Sequence, residues 1–339
     1  MADSRVGLGY AGCAKWGRSL AAPVAKSEVV RVVSGWSRRV EPRERFARDF
    51  DCEPCDSYAK MLADPRIQGI VIATPNDIHC QNAVAAAEAG KHVFVEKPIT
   101  SRIDEAWKII EACRKHKVIL AVGHNTRRHA PYRKIKELVA AGAAGTVTMA
   151  EANLSHNGGL RLAADAWRAD AERCPALPLT QLGVHHADTL RFLLGRIEAV
   201  SSMMVRKAIQ VGDVDTTIQL LRFAGGELGY LGSNYISPPT NYIRLFGTKA
   251  VIYAEAGRPE VNVVYPDGRR EVLPVEANNP NAEEVEEFGR AIRGECQVEV
   301  TGEAGMENLA VVLAAVKSNR ERREVAIEEI VEAGKRGEC

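Results

Sequence analysis

Along the first third of the chain, short apolar runs alternate with stretches whose apolar positions recur every three or four residues. That is the signature of buried strands separated by amphipathic helices. Runs at 5–11, 29–33, 69–73, 92–95 and 118–122 predict strands, and 41–50, 58–62, 80–89 and 103–116 predict helices. Residues 1–125 are therefore expected to form a doubly wound parallel sheet of α/β class. Beyond residue 125 the pattern changes. Helices are expected at 132–141, 182–194, 283–293 and 303–320, and strands at 147–154, 200–205, 216–223, 227–233, 242–246, 250–254 and 261–265. Turn signals such as Ala224-Gly225-Gly226 and Pro266-Asp267-Gly268 separate the strands. Residues 126–339 are thus expected to form an α+β domain with an open, mainly antiparallel sheet. One broad face of that sheet is left to pack on another subunit, so a homo-oligomer, dimer or tetramer, is expected.

Composition narrows the class. The 339 residues suit two domains of ordinary size, and 46% hydrophobic with 26% charged residues suits a soluble globular protein. A net charge of +1 gives no basis for a nucleic-acid or anionic-membrane partner. No apolar run approaches the roughly 20 residues needed to span a bilayer. Met1-Ala2-Asp3-Ser4-Arg5 lacks a signal-peptide pattern, so a cytoplasmic location is expected. The eight cysteines are scattered, unlike a disulfide framework. Cys52-Glu53-Pro54-Cys55 has the spacing of a redox or half-zinc site. No second such pair accompanies it, and it is expected to be free thiols in a loop, with no metal. Cys339 is expected on a frayed end.

Candidate chemistry gathers at the carboxyl ends of the predicted strands, where open α/β sheets bind ligands. The run His92 to Val95 ends in Glu96-Lys97-Pro98. Proline fixes its own φ and has no N–H, so the strand stops and Lys97 is held extended at its end. After the first strand two glycine fingerprints compete, Gly7-Leu8-Gly9-Tyr10-Ala11-Gly12 and Gly12-Cys13-Ala14-Lys15-Trp16-Gly17. The second leaves a strand of normal length before it and a helix start after it, so Gly12, Ala14, Lys15, Trp16 and Gly17 are the expected dinucleotide turn. The second strand ends without the acid that binds a ribose 2′-hydroxyl. It continues instead into Ser37-Arg38-Arg39, which suits a 2′-phosphate and predicts NADP, with NAD the alternative. Thr74-Pro75-Asn76, with His79, lies at another strand end and is placed to cover the cofactor. Far along the chain, Gln181 and His185 stand four apart and His185 and Asp188 three apart, so each pair shares a helix face. An imidazole there can donate or accept a proton near neutrality. Its neighbour His186 reads as a core residue.

Several of these stretches, in chain order, resemble the glucose–fructose oxidoreductase / inositol dehydrogenase (Gfo/Idh/MocA) family. They are Ala73-Thr74-Pro75-Asn76-Asp77-Ile78-His79, Val95-Glu96-Lys97-Pro98, Val122-Gly123-His124-Asn125, Ala166-Trp167-Arg168, Gly183-Val184-His185-His186-Ala187-Asp188, Phe246-Gly247-Thr248-Lys249-Ala250 and Thr301-Gly302-Glu303-Ala304-Gly305. The resemblance implies an N-terminal Rossmann domain and a C-terminal α/β domain with an open sheet. It also implies reversible hydride transfer on a sugar or cyclitol, with a catalytic lysine at Lys97 and a catalytic histidine at His185. Glu96, Lys97, Asn125, Trp167 and Arg168 join the expected cofactor contacts. Lys97, Arg127, Trp167, Gln181, His185 and His186 are the expected substrate contacts, with Arg128 and Tyr235 as further candidates. Many relatives carry an acid where this chain has Gln181. Glutamine can hydrogen-bond but carries no proton or charge, so His185 and Lys97 are left to move the proton, unless Asp188 orients His185. Two rival functions stand beside this reading: glycoside cleavage by transient oxidation with a retained dinucleotide, and a non-catalytic NADP-binding regulator, against which the pairing of Lys97 with His185 argues.

Overall fold

The computed structural model describes residues 4–338. The expected frayed end at Cys339 lies outside them. The chain divides into two compact units. One runs through Asn125 and takes in Asn279–Met306; the other comprises Thr126–Asn278 and the residues from Glu307 onward.

In the first unit six strands form one sheet: β1 (Val6–Ala11), β2 (Val30–Trp36), β3 (Glu53–Cys55), β4 (Gly69–Ile72), β5 (His92–Glu96) and β6 (Leu120–Gly123). All are parallel, in the order β3-β2-β1-β4-β5-β6. Every residue of β1 and β4 is buried, as expected when helices cover both faces. The order reverses between β1 and β4, which makes their carboxyl ends the ligand-binding end of such a sheet.

Two expectations need correction here. Cys52 and Cys55 are free thiols, but only Cys52 lies in a connecting segment: Cys55 ends a short edge strand, Glu53–Cys55, paired with Ser34–Trp36. Three residues with a proline among them are too few to signal a strand by alternation. Burial pushes the Cys52 thiol up to about 12, so it is no reactive thiolate. Second, a cut into 1–125 and 126–339 puts the helix Pro280–Ile292 in the wrong unit. Its Val285 and Phe288 complete the core around Leu8, Tyr10, Val71 and Phe94, with the Phe94 and Phe288 rings 5.8 Å apart. An amphipathic helix shows in sequence which face is apolar but not what it packs against.

The second unit holds a nine-stranded sheet of β7 (Val147–Ser155), β8 (Ile197–Val205), β9 (Thr216–Phe223), β10 (Leu228–Asn234), β11 (Thr240–Gly247), β12 (Val251–Glu255), β13 (Glu260–Val264), β14 (Arg270–Pro274) and β15 (Val325–Ala326). The order is β14-β13-β12-β11-β7-β10-β9-β8-β15. Only the β7–β10 pair is parallel. The two terminal strands were not expected from the sequence; β14, Arg270-Glu271-Val272-Leu273-Pro274, does not alternate apolar with polar residues, and β15 has two residues. Helices Ala130–Ala140 and Val184–Leu194 pack on one face of this sheet.

Candidate active site

In the first unit the glycine turn starts at Gly12. Gly7 and Gly9 lie inside β1, where Gly7 N donates to Gln68 Oε1 at 3.0 Å, so the first of the two competing fingerprints is part of the strand. Gly12 has φ +106°, and a Cβ there would lie 2.5 Å from the Ala73 carbonyl oxygen. A Cβ on Gly17 would strike the Gly12 carbonyl oxygen. Both positions therefore require glycine, one for conformation and one for close packing of the helix Lys15–Ala21. Ala14 caps that helix in an extended conformation that any residue adopts. Ser37, Arg38 and Arg39 follow β2 directly. Both arginines are exposed, and neither is ion-paired to another described residue.

Past β4, Asn76 is buried and its amide Nδ2 has no partner among the described residues. His79 is fully buried. Its Nε2 lies 2.9 Å from the Thr74 carbonyl oxygen and its Nδ1 3.1 Å from that of Pro98. Burial holds its pKa below the ordinary imidazole range. The ring thus ties the Thr74 turn to the Lys97-Pro98 turn. At the end of β5, Glu96 and Lys97 are both buried, and Lys97 N donates to Glu96 Oε2 at 3.1 Å. Burial pushes the Glu96 carboxyl up, to about 7, against the pull of the Lys97 ammonium. Asn125 Nδ2 donates to Asn281 Oδ1 at 2.6 Å, and Asn281 Nδ2 donates to the Ser19 carbonyl. The unit fits a dinucleotide: a glycine turn closed to any Cβ, an orphaned buried amide at the next strand end, and exposed arginines past β2.

In the second unit, the wide π turn Leu179–Gly183 leads into the helix Val184–Leu194, so the helix expected from residue 182 begins two residues later. His185 is buried, and its Nδ1 lies 2.9 Å from Thr126 Oγ1. Asp188 is fully buried, accepts from Arg127 Nε at 2.7 Å and Nη2 at 2.5 Å, and accepts from Asn308 Nδ2 at 2.6 Å. Arg127, expected at substrate, therefore spends its fork on a buried ion pair. Gln181 Oε1 accepts from Arg168 Nε at 2.8 Å, and the Arg168 guanidinium stacks 4.3 Å over the Trp167 ring. Those three residues meet as one polar and aromatic group. His186 is fully buried, with Nε2 2.8 Å from Asn241 Oδ1 and its ring against the edge of Tyr132. This is a core environment, as the sequence reading of His186 expects. Arg128 is buried and its carbonyl accepts from Asn278 Nδ2. Tyr235 packs with Cys174, Leu177, Leu182 and Ile209.

Thr126, Asn241 and Asn308 carry polar contacts that no motif announced. Thr126 is the one next to a candidate proton carrier, and its adjacency to Asn125 at a predicted strand end was the signal available.

Residues 6–124 match the Gfo/Idh/MocA oxidoreductase family with NAD-binding Rossmann fold, and residues 132–253 match the C-terminal domain of that family. The myo-inositol 2-dehydrogenase of Thermotoga maritima is 28% identical over 80% of this chain and 83% of its own length. The 1,5-anhydro-D-fructose reductase of Ensifer adhaerens is 26% identical over 90% and 96%. A crystal structure from Desulfitobacterium hafniense, provisionally described as an NADPH-dependent oxidoreductase, superposes with TM-score 0.93 at 33% identity, covering 96% of this chain and 99% of that one. Among the described residues no helix is long and apolar enough to cross a membrane. The chain belongs to the Gfo/Idh/MocA family and is an oxidoreductase with an NAD(P)-binding Rossmann domain.

Proposed function

We propose that this protein moves hydride reversibly between NADP and a hydroxyl-bearing carbon of a sugar, sugar derivative or cyclitol in the cytoplasm. The observation that carries the reading is the buried Lys97 at the carboxyl end of β5 in a dinucleotide-binding sheet. The activities named for the T. maritima and E. adhaerens relatives support the substrate class. When bound, the dinucleotide supplies or accepts the hydride. Gly12, Ala14, Lys15, Trp16 and Gly17 hold its pyrophosphate, and Asn76 offers its orphaned Nδ2. Ser37, Arg38 and Arg39 take the 2′-phosphate, which favours NADP, in keeping with the description of the D. hafniense protein. Lys97 donates to the substrate oxygen and stabilises negative charge as it develops there. His185 accepts the hydroxyl proton on oxidation and returns it on reduction. Trp167, Arg168 and Gln181 line the substrate. The protein assembles as a homo-oligomer through the uncovered face of the second unit's sheet.

The test is a panel of sugars, uronates and cyclitols offered with NADP and with NAD in both directions, followed by nicotinamide absorbance. At least one substrate should turn over, with NADP preferred by about tenfold or more in kcat/KM. Lys97→Met should lose about a hundredfold or more in kcat while still binding NADPH. Joint replacement of Arg38 and Arg39 by Ala should weaken NADPH binding and leave NADH binding unchanged. Undiminished turnover by Lys97→Met would remove its assigned role.

A further inference from the structure

We propose that Thr126 is the positioning residue for His185: its hydroxyl oxygen accepts the Nδ1 proton, leaving Nε2 as the nitrogen that exchanges a proton with substrate. This rests on the reading of His185 as the proton acceptor. Thr126 and His185 are both buried, and Oγ1 stands 2.9 Å from Nδ1. Asp188 receives both Arg127 donors and Asn308, and Gln181 Oε1 receives Arg168.

The contact is held at two points. Thr126 and Arg127 are consecutive in the 3-10 turn Asn125–Arg128, while His185 and Asp188 lie three apart on one helix face. Thr126 meets His185 and Arg127 meets Asp188, so the buried ion pair fixes the turn that presents the hydroxyl. Thr189 Oγ1 also donates to the His185 carbonyl at 2.8 Å.

The proton count closes. On oxidation the carbon loses hydride to the bound dinucleotide, the C–OH becomes C=O, and the hydroxyl proton passes to Nε2. Nδ1–H donates to Oγ1 before and after the transfer. A neutral oxygen fixes the tautomer as a carboxylate does, but adds no charge to hold the imidazolium.

The experiment compares Thr126→Val, which keeps the shape and removes the oxygen, with Thr126→Ser, which keeps the oxygen. Thr126→Val should lose about tenfold or more in kcat with KM and NADPH affinity little changed, and Thr126→Ser should recover to within about threefold of the parent. A second measurement needs no variant: nitrogen NMR of histidine-labelled protein should find neutral His185 protonated at Nδ1. Full kcat in Thr126→Val, an equal loss in Thr126→Ser, or an Nε2-protonated neutral ring would each overturn the proposal. His185→Ala separates the two layers. If it retains turnover, the reading of His185 fails; if it is inactive while Thr126→Val is unaffected, only the role of Thr126 fails.

Discussion

Two adjacent histidines have opposite environments. His185 faces a hydroxyl, whereas His186 is sealed against Asn241 and Tyr132, and burial pushes its pKa down to about 4. His186 is therefore neutral in the fold where an unfolded chain would protonate it near 6.5. Its folded pKa is depressed, so the stability it contributes is complete above about pH 6.5 and is lost as pH falls towards about 4. His186→Asn keeps a donor for Asn241 and removes the titration. The stability gap between parent and variant, measured by urea unfolding, should narrow by about 2–3 kcal/mol between pH 7 and pH 4. A gap independent of pH would show that His186 does not titrate in this way. The core place of His186 was legible in the sequence, but neither histidine's partner was, because Asn241 lies 55 residues and Thr126 59 residues from its partner, with no pattern linking them. Lys97 was legible, because proline after an acid and an amine ends a strand by local sterics alone.

At the level of elements, the parallel sheet could be read because each of its longer strands is an apolar run bounded by a turn. What could not be read were contacts made by elements too short or too irregular to be periodic, such as β3 and the π turn before His185. The glycine turn tests the local reading most directly. Gly17 packs against the Gly12 carbonyl, so Gly17→Ala must displace the helix Lys15–Ala21 from β1. It should lower stability by about 1–3 kcal/mol and weaken NADPH binding about tenfold or more. Ala14→Gly should be tolerated in the fold and bind NADPH at least as tightly, because position 14 needs no special φ and a smaller residue lets the backbone come nearer a phosphate. Fluorescence titration of NADPH, with thermal unfolding alongside, checks both. An unaffected Gly17→Ala variant would return the dinucleotide turn to the competing fingerprint in β1.

For the molecule as a whole, the outward face of the second unit's sheet sets the expected assembly. On β9 the inward residues Leu221 and Phe223 are buried, yet the outward Ile218 and Leu220 are also apolar. Register brings Met203 of β8 opposite Ile218, and Leu228 of β10 opposite Met149 of β7. Met203 is 78% and Leu220 60% exposed, so side chains that favour burial stand in one connected patch. A solvated antiparallel face normally alternates apolar-in and polar-out. Such a departure is what a protein–protein contact surface is expected to show. A second copy of the chain presents the same patch, which suits a two-fold, self-complementary contact. Sedimentation at micromolar concentration should find the parent as a dimer or tetramer. The double variant Met203→Glu, Leu220→Glu places like charges on both sides of such a contact and should sediment as a smaller species with the monomer's fold intact by circular dichroism. A parent that sediments as a monomer, or a variant that keeps the parent's size, would exclude this face as the contact.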